Sequence, residues 1–115
     1  MQIIKENFTK LHLSSEFLED IIEKITSATE VKKIYIFGSY ARGEERKDSD
    51  IDIYAVVPDS CKEIWRANVN IRSALFRLDL PKDVLTKRES TFESDSQRFA
   101  SLESDVINEG VLIYG

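Results

Sequence analysis

The chain has 115 residues, of which 42% are apolar and 32% charged. That composition suits one domain with a buried core and excludes a disordered chain. Sixteen Lys and Arg against 21 Asp and Glu leave a net charge of −5, which excludes binding long nucleic acid by bulk electrostatics, because such binding needs a basic face. Cys61 is the single cysteine, so no internal disulfide and no thiolate metal cluster can form. No apolar run approaches the roughly 20 residues that span a bilayer. Met1 to Lys10 lacks the apolar core and cleavage site of a signal peptide. A cytoplasmic setting with no membrane contact is expected.

There is no repeat, low-complexity stretch or Pro/Gly-rich linker, so residues 1–115 are read as a single domain. Helix-like and strand-like stretches alternate, which predicts a layered α/β (α+β) fold with a small mixed sheet. Ser14 or Ser15 caps a first helix, with Glu16, Glu19 and Asp20 near its positive end. Phe17, Leu18, Ile21, Ile22 and Ile25 form its apolar face. Lys33 to Phe37 is a β-branched and aromatic run that reads as a buried strand ending at Gly38. Ser39 to Gly43 is a short helical turn or loop, and 44–49 a polar connection. Asp50 to Val57 reads as a strand stopped by Pro58. Ile51, Ile53, Ala55 and Val57 share one face, and Asp50, Asp52 and Tyr54 the other. Asp59 or Ser60 caps a second long helix, roughly Cys61 to Leu78, with Ile64, Ala67, Ile71, Ala74, Leu75 and Leu78 as its stripe. Pro81 to Thr86 is a third strand. A third long helix runs from about Thr91 to Asn108, carrying Phe92, Phe99, Leu102 and Val106. Gly110 suits the C′ position that ends it, and Val111 to Tyr114 adds a final edge strand.

The chemistry is concentrated in Gly38-Ser39-Tyr40-Ala41-Arg42-Gly43 and Ser49-Asp50-Ile51-Asp52-Ile53. Strand side chains at i and i+2 point the same way, so Asp50 and Asp52 project together. Adjacent carboxylates repel and raise each other's pKa unless a cation sits between them. Oxygen-only ligands favour Mg²⁺ or Mn²⁺ over zinc. Gly38 lets the backbone approach a ligand or take an unusual φ. Ser39 offers a hydroxyl and an N–H at a helix start, a natural place for phosphate oxygens. A phosphate cradle beside a carboxylate pair is what phosphoryl transfer requires. The acidic net charge does not exclude such a ligand, because the metal supplies positive charge. Taken singly, a Gly-Ser turn is usually only a turn, and an Asp-x-Asp is more often surface or capping chemistry. Their order, each at the end of an apolar strand, favours the functional reading.

Gly38-Ser39, followed after ten residues by Asp50-Ile51-Asp52-Ile53, resembles the signature of the DNA polymerase β-like nucleotidyltransferase superfamily. The fuller string is similar to the minimal nucleotidyltransferases of bacteria and archaea, and the resemblance covers nearly the whole chain. It implies a third carboxylate on a later strand, at Asp83. It implies that Asp50, Asp52 and Asp83 bind two Mg²⁺ ions roughly 3.5–4 Å apart. Gly38 and Ser39 then hold the β and γ phosphates of a nucleoside triphosphate, by default ATP. An acceptor hydroxyl attacks the α-phosphorus and pyrophosphate leaves. Arg42 either neutralises phosphate charge or pairs with Glu44 or Glu45.

Other residues carry less. Asp48 belongs to the loop before the strand. The run 44–47 is a solvated loop, or else folds over the nucleotide. His12 has no motif around it and receives no role. Trp65 and Phe76 lie near the second helix's stripe, as core or, for Trp65, as a partner surface. Tyr35 and Tyr40 fit strand packing better than base contact, and Cys61 reads as a small buried residue. Minimal members of the resembled family are often antitoxins of helical HEPN-type toxins, so the resemblance implies such a partner and AMP transfer onto it. The segment after the catalytic elements leaves no room for an acceptor-binding domain. Alternatives are a non-catalytic antitoxin acting by contact, or a small-molecule nucleotidyltransferase whose acceptor site forms at a homo-oligomer interface.

Overall fold

In the computed structural model, which describes residues 2–115, the first regular segment is one that apolar spacing did not announce. A 3₁₀ helix at Lys5–Lys10 buries Phe8. It is moored to the opposite end of the chain. The Ile4 N–H donates to the Ile113 carbonyl at 2.9 Å, and Asn7 Nδ2 donates to the Leu112 carbonyl at 2.8 Å. Helix α1 (Ser15–Ala28) follows, with Ser14 Oγ accepting the Phe17 N–H at 3.1 Å. It buries Leu18, Ile21, Ile22 and Ile25, as its spacing predicts.

The remaining elements are β1 (Lys33–Phe37), α2 (Ser39–Arg42), β2 (Ile51–Val57), α3 (Ile64–Ala74), β3 (Lys82–Arg88), α4 (Glu89–Ser96), α5 (Leu102–Glu109) and β4 (Val111–Tyr114). The sheet order is β3-β2-β1-β4. β1 pairs antiparallel with β2 and β4. β2 and β3 are parallel and are joined through the crossover helix α3, as parallel neighbours require. The mixed sheet agrees with the α/β expectation. Among the described residues, no helix is long and apolar enough to cross a membrane.

Alternation along β2 explains why both faces of the sheet are covered. Ile51, Ile53, Ala55 and Val57 join the main core with Ile34, Ile36, Ile71 and the α1 residues. Tyr54 and Val56 enter a smaller core with Tyr35, Phe92 and Val106.

Three expectations about helices are corrected. α3 starts at Ile64, after Glu63, rather than near Cys61. Asp59 is used elsewhere: its Oδ1 accepts the Ser90 N–H at 2.9 Å and caps α4 from across the fold. At its other end α3 stops at Ala74, and the Phe76 and Leu78 N–H groups donate to carbonyls three residues back. The single helix expected from Thr91 to Asn108 is two. Ser101 accepts the Ser104 N–H at 3.0 Å and starts α5 afresh, and Ala100 takes a positive φ of 58°. Phe92 and Val106 are buried as expected, but Phe99 and Leu102 at the break are exposed. Gly110 ends α5, but with an extended backbone (φ −71°, ψ 159°) and not a left-handed one. Its requirement is space, since a Cβ there would lie 2.3 Å from the Val106 carbonyl oxygen. Strand β3 also runs past Thr86 to Arg88, because Lys87 and Arg88 keep pairing with Val56 and Val57 of β2.

The smaller core holds a polar group that the pattern of apolar residues does not disclose. Glu103 is buried. Tyr54 donates its hydroxyl to Glu103 Oε2 at 2.9 Å. Lys87 Nζ lies 3.1 Å from the same oxygen and 2.6 Å from Asp95 Oδ2. Burial pulls the Glu103 carboxyl upward, but the Lys87 and Tyr54 donors favour its charged form more, and the net direction is downward. Burial, then the bond to Glu103, keeps the Tyr54 phenol protonated far above its usual range. A depressed carboxyl contributes stability above its unfolded pKa of 4.5 and loses it as pH falls through the lower folded value. Tyr54→Phe opens no cavity and removes one donor from this carboxylate. Urea denaturation at pH 7 is expected to show a loss of about 1–2 kcal/mol, and the gap from the parent narrows as pH falls through Glu103's folded value.

Candidate active site

The site begins where β1 ends. Register places Phe37 opposite Asp52, so the next residue, Gly38, passes directly over the Asp52 side chain. Gly38 has φ 74° and ψ −149°, a region essentially reserved for glycine. A Cβ on it would stand 2.1 Å from Asp52 Oδ2 and 3.1 Å from Cγ. Two independent constraints, backbone conformation and lack of space, therefore demand glycine here. The chain then turns at once into α2. The Ala41 and Arg42 N–H groups donate to the Gly38 carbonyl at 3.1 and 3.2 Å, and Gly43 closes the turn in a left-handed conformation (φ 69°). Ser39 is half-buried at the first position of α2. It follows directly on Gly38, the residue that passes over Asp52.

The carboxylates meet at the ends of β2 and β3. Asp52 and Asp83 are register partners on the parallel pair, which puts them on one face about one strand spacing (~4.8 Å) apart. This is the face of Tyr54 and the smaller core. Asp50 lies just before β2 and is exposed. The Ile51 N–H, donating to the Pro81 carbonyl at 2.8 Å, fixes the start of β2 beside β3. Burial pushes the Asp52 carboxyl up, and the charges of Asp83 and then Asp50 push it further, with Arg42 opposing them. The neighbours that raise it are the two other acids singled out in the sequence. Among the described residues, no three acidic, His or Cys side chains are gathered into a ready-made metal cage. Asp83 leans instead on Arg72, at 3.3 Å.

The donor set fits a hard divalent cation. It is all oxygen, and its central member carries repulsion that a cation would relieve. Asp50, Asp52 and Asp83 are the residues that could hold one. Arg42 takes the ion-pair alternative: its Nε donates to Glu44 at 2.8 Å, and Glu109 lies 4.0 Å away. It still stands near enough to Asp52 to act on it.

Sequence reasoning missed two contacts. His12 Nδ1 hydrogen-bonds Glu45 and so ties the 44–47 loop to the segment before α1. That bond from His12 is the first cause lowering the Glu45 carboxyl. Arg72 and Asn68, on the face of α3 turned to β3, were also missed. Neither pair shows in the sequence, because each joins residues that only the fold makes neighbours or that look like ordinary helix surface. Asp48 stays in the exposed turn before the strand. Tyr35 and Tyr40 are buried in the two cores, in keeping with packing, and Cys61 is half-buried.

Two outcomes follow from this geometry. Gly38→Ala meets both the left-handed φ and the Asp52 carboxylate, and is expected to cost about 1–3 kcal/mol in chemical denaturation. Asp52→Asn should do the reverse. The raised carboxyl destabilises the fold above its folded pKa and has no effect below the ordinary value of 3.8. In chelator at neutral pH the variant should melt higher than the parent, and the difference should vanish in acid.

Residues 19–115 match the family model described as Polymerase beta, Nucleotidyltransferase. No curated protein matches the chain. Solved structures do. A toxin-antitoxin crystal structure with AMP-PNP shares 25% identity, covers 85% of this chain and 73% of its own, and has a TM-score of 0.57. A candidate nucleotidyltransferase from Sulfolobus solfataricus shares 26% identity, with coverage of 84% and 76% and a TM-score of 0.53. The complex of a tri-AMPylated Shewanella oneidensis HEPN toxin with its MNT antitoxin matches at 22% identity, with coverage of 90% and 73% and a TM-score of 0.53, a likeness of fold alone. The family match spans β1 to β4 and includes the Gly38 turn and all three carboxylates, and on that ground the chain belongs to the polymerase beta nucleotidyltransferase family.

Proposed function

We propose that this chain transfers AMP from ATP to an acceptor hydroxyl on a helical HEPN-type partner and serves as the antitoxin of that pair. The observation that carries the catalytic part is the Gly38–Asp52 contact, with Asp83 in register beside it. It sets a glycine turn and a helix start against a half-buried carboxylate whose own repulsion calls for a cation.

The roles follow from position. Ser39 and the backbone at Gly38 bind the β and γ phosphates. Asp50, Asp52 and Asp83 would hold Mg²⁺ or Mn²⁺. Those ions, when bound, neutralise the triphosphate and activate the acceptor hydroxyl. The acceptor oxygen bonds to the α-phosphorus while the bond to the bridging oxygen of the β-phosphate breaks, and pyrophosphate leaves. Asp83, on the exposed edge strand, takes the acceptor proton. Arg42, held by Glu44, adds positive charge at the mouth of the site.

The partner reading is supported by one of the similar structures, a toxin-antitoxin with AMP-PNP, and the HEPN class of the partner is the one that the motif resemblance implies. A second reading, antitoxin action by contact alone, is favoured by one observation. α3 and the turn after it expose Trp65, Val69 and Phe76, with the Arg66 guanidinium 5.3 Å over the Trp65 ring. Isolated exposed apolar residues are common, but three along one stretch suit a protein surface.

The test uses labelled ATP, Mg²⁺ and the proposed HEPN-type partner protein. Label should move onto that protein, and Asp52→Asn should reduce the transfer to background. If the Asp52→Asn variant protects cells fully while transferring no label, contact alone explains neutralisation and the catalytic reading fails.

A further inference from the structure

The third carboxylate stands at the free edge of the sheet, where few groups restrain it. β3 pairs only with β2, and the Asp83 side chain is 54% exposed. The group that reaches it is a guanidinium that is itself braced. Arg72 Nε donates to Asn68 Oδ1 at 2.7 Å, and Arg72 Nη2 donates to the Val84 carbonyl at 2.8 Å. Asn68, one turn earlier on α3, donates to the same carbonyl at 3.1 Å and to Thr86 Oγ1 at 2.9 Å. From this fixed position Arg72 Nη2 reaches Asp83 Oδ1 at 3.3 Å. Among the described residues, the Asp83 carboxylate has no other hydrogen-bond partner.

As an ion pair between half-exposed groups, a 3.3 Å contact contributes little to stability. Its consequence is directional. A short aspartate on a strand has several staggered rotamers open to it, and a braced donor selects among them. One carboxylate oxygen is taken by Arg72, and Oδ2 is left uncommitted. Groups that orient a metal ligand from behind commonly change metal affinity or activity by 10–100-fold when removed.

We propose that Arg72, braced by Asn68 and the Val84 carbonyl, is a positioning residue for Asp83 that holds its carboxylate with one oxygen free for the divalent cation. The inference rests on the reading of Asp83 as a metal ligand, and the test separates the two.

Mn²⁺ binding to metal-stripped protein is measured from the electron paramagnetic resonance of the free ion. The parent is compared with Asp83→Asn, Arg72→Met, Arg72→Lys and Asn68→Ala, and kcat and KM for ATP are taken in the transfer assay. Arg72→Met should weaken the Asp83-dependent binding by roughly tenfold and lower kcat with KM for ATP unchanged. Arg72→Lys should recover part of the loss. Asn68→Ala should move the same way by less, and it supplies the answer if Arg72→Met does not fold. Loss of charge alone acts in the opposite sense, since removing a cation beside a cation site tightens Mn²⁺. Unchanged or tighter binding in Arg72→Met or Asn68→Ala therefore overturns the inference. If Asp83→Asn also binds Mn²⁺ like the parent, the reading of Asp83 as a ligand falls with it. If Asp83→Asn weakens binding and the other variants do not, only the role of Arg72 falls.

Discussion

The contact between the Gly38 backbone and the Asp52 carboxylate fixes the rest of the site. A Cβ on Gly38 would overlap Asp52 Oδ2 at 2.1 Å, so β1, the turn into α2 and the acidic end of β2 can share this space only because residue 38 has no side chain. The positive φ of Gly38 then turns the chain from β1 into α2. The antiparallel register of β1 and β2 sets which carboxylate lies beneath the turn, and the parallel register of β2 and β3 sets which one lies beside it. Each of these placements depends on backbone hydrogen bonding between strands, and so is far stiffer than the side chains themselves.

A central strand covered on both faces makes that stiffness possible. β2 sends four apolar side chains into the main core and Tyr54 and Val56 into the smaller one. Only its first two residues, Ile51 and Asp52, combine a buried anchor with a reachable acid. The acid is destabilising by itself. Burial and two neighbouring carboxylates raise its pKa, a repulsion that the main core, built on the other face of the same strand, is placed to offset. Stability given up at a reactive site and recovered elsewhere is a common trade in enzymes. The buried Glu103 stands in contrast. It is also desolvated, but Tyr54 and Lys87 satisfy it, and its carboxyl is held low instead of high. The difference between a structural acid and a candidate catalytic acid in this chain is therefore the presence of built-in donors.

Much of the fold was legible in the sequence because apolar periodicity is a local property. The faces of α1 and β2, the strand Lys33–Phe37 and the closing strand Val111–Tyr114 all follow from it. The errors fall where a hydrogen-bond partner or the space around a residue is settled by something other than apolar spacing. Asp59 looked like the cap of its own helix and instead caps α4. Ser101 looked like a residue within one long helix and instead starts a new one. Gly110 was read as suiting the helix-ending C′ position and is needed for close approach to Val106. The 3₁₀ helix was invisible because its stabilising bonds run to residues more than a hundred positions away.

By itself the sequence determined that the chain carries a Gly-Ser turn and an Asp-x-Asp pair at the ends of successive apolar strands. Those features are fixed by residue identity and a two-residue period, and they were enough to reach the family. Tertiary structure alone decided which groups surround them. It brought Asp83 into register with Asp52, set Arg72 and Asn68 behind Asp83 and joined His12 to Glu45. Most of these contacts cross between segments whose relative placement comes from sheet register and helix packing. No local pattern of residues encodes that placement, because it is set by how the whole apolar surface is buried.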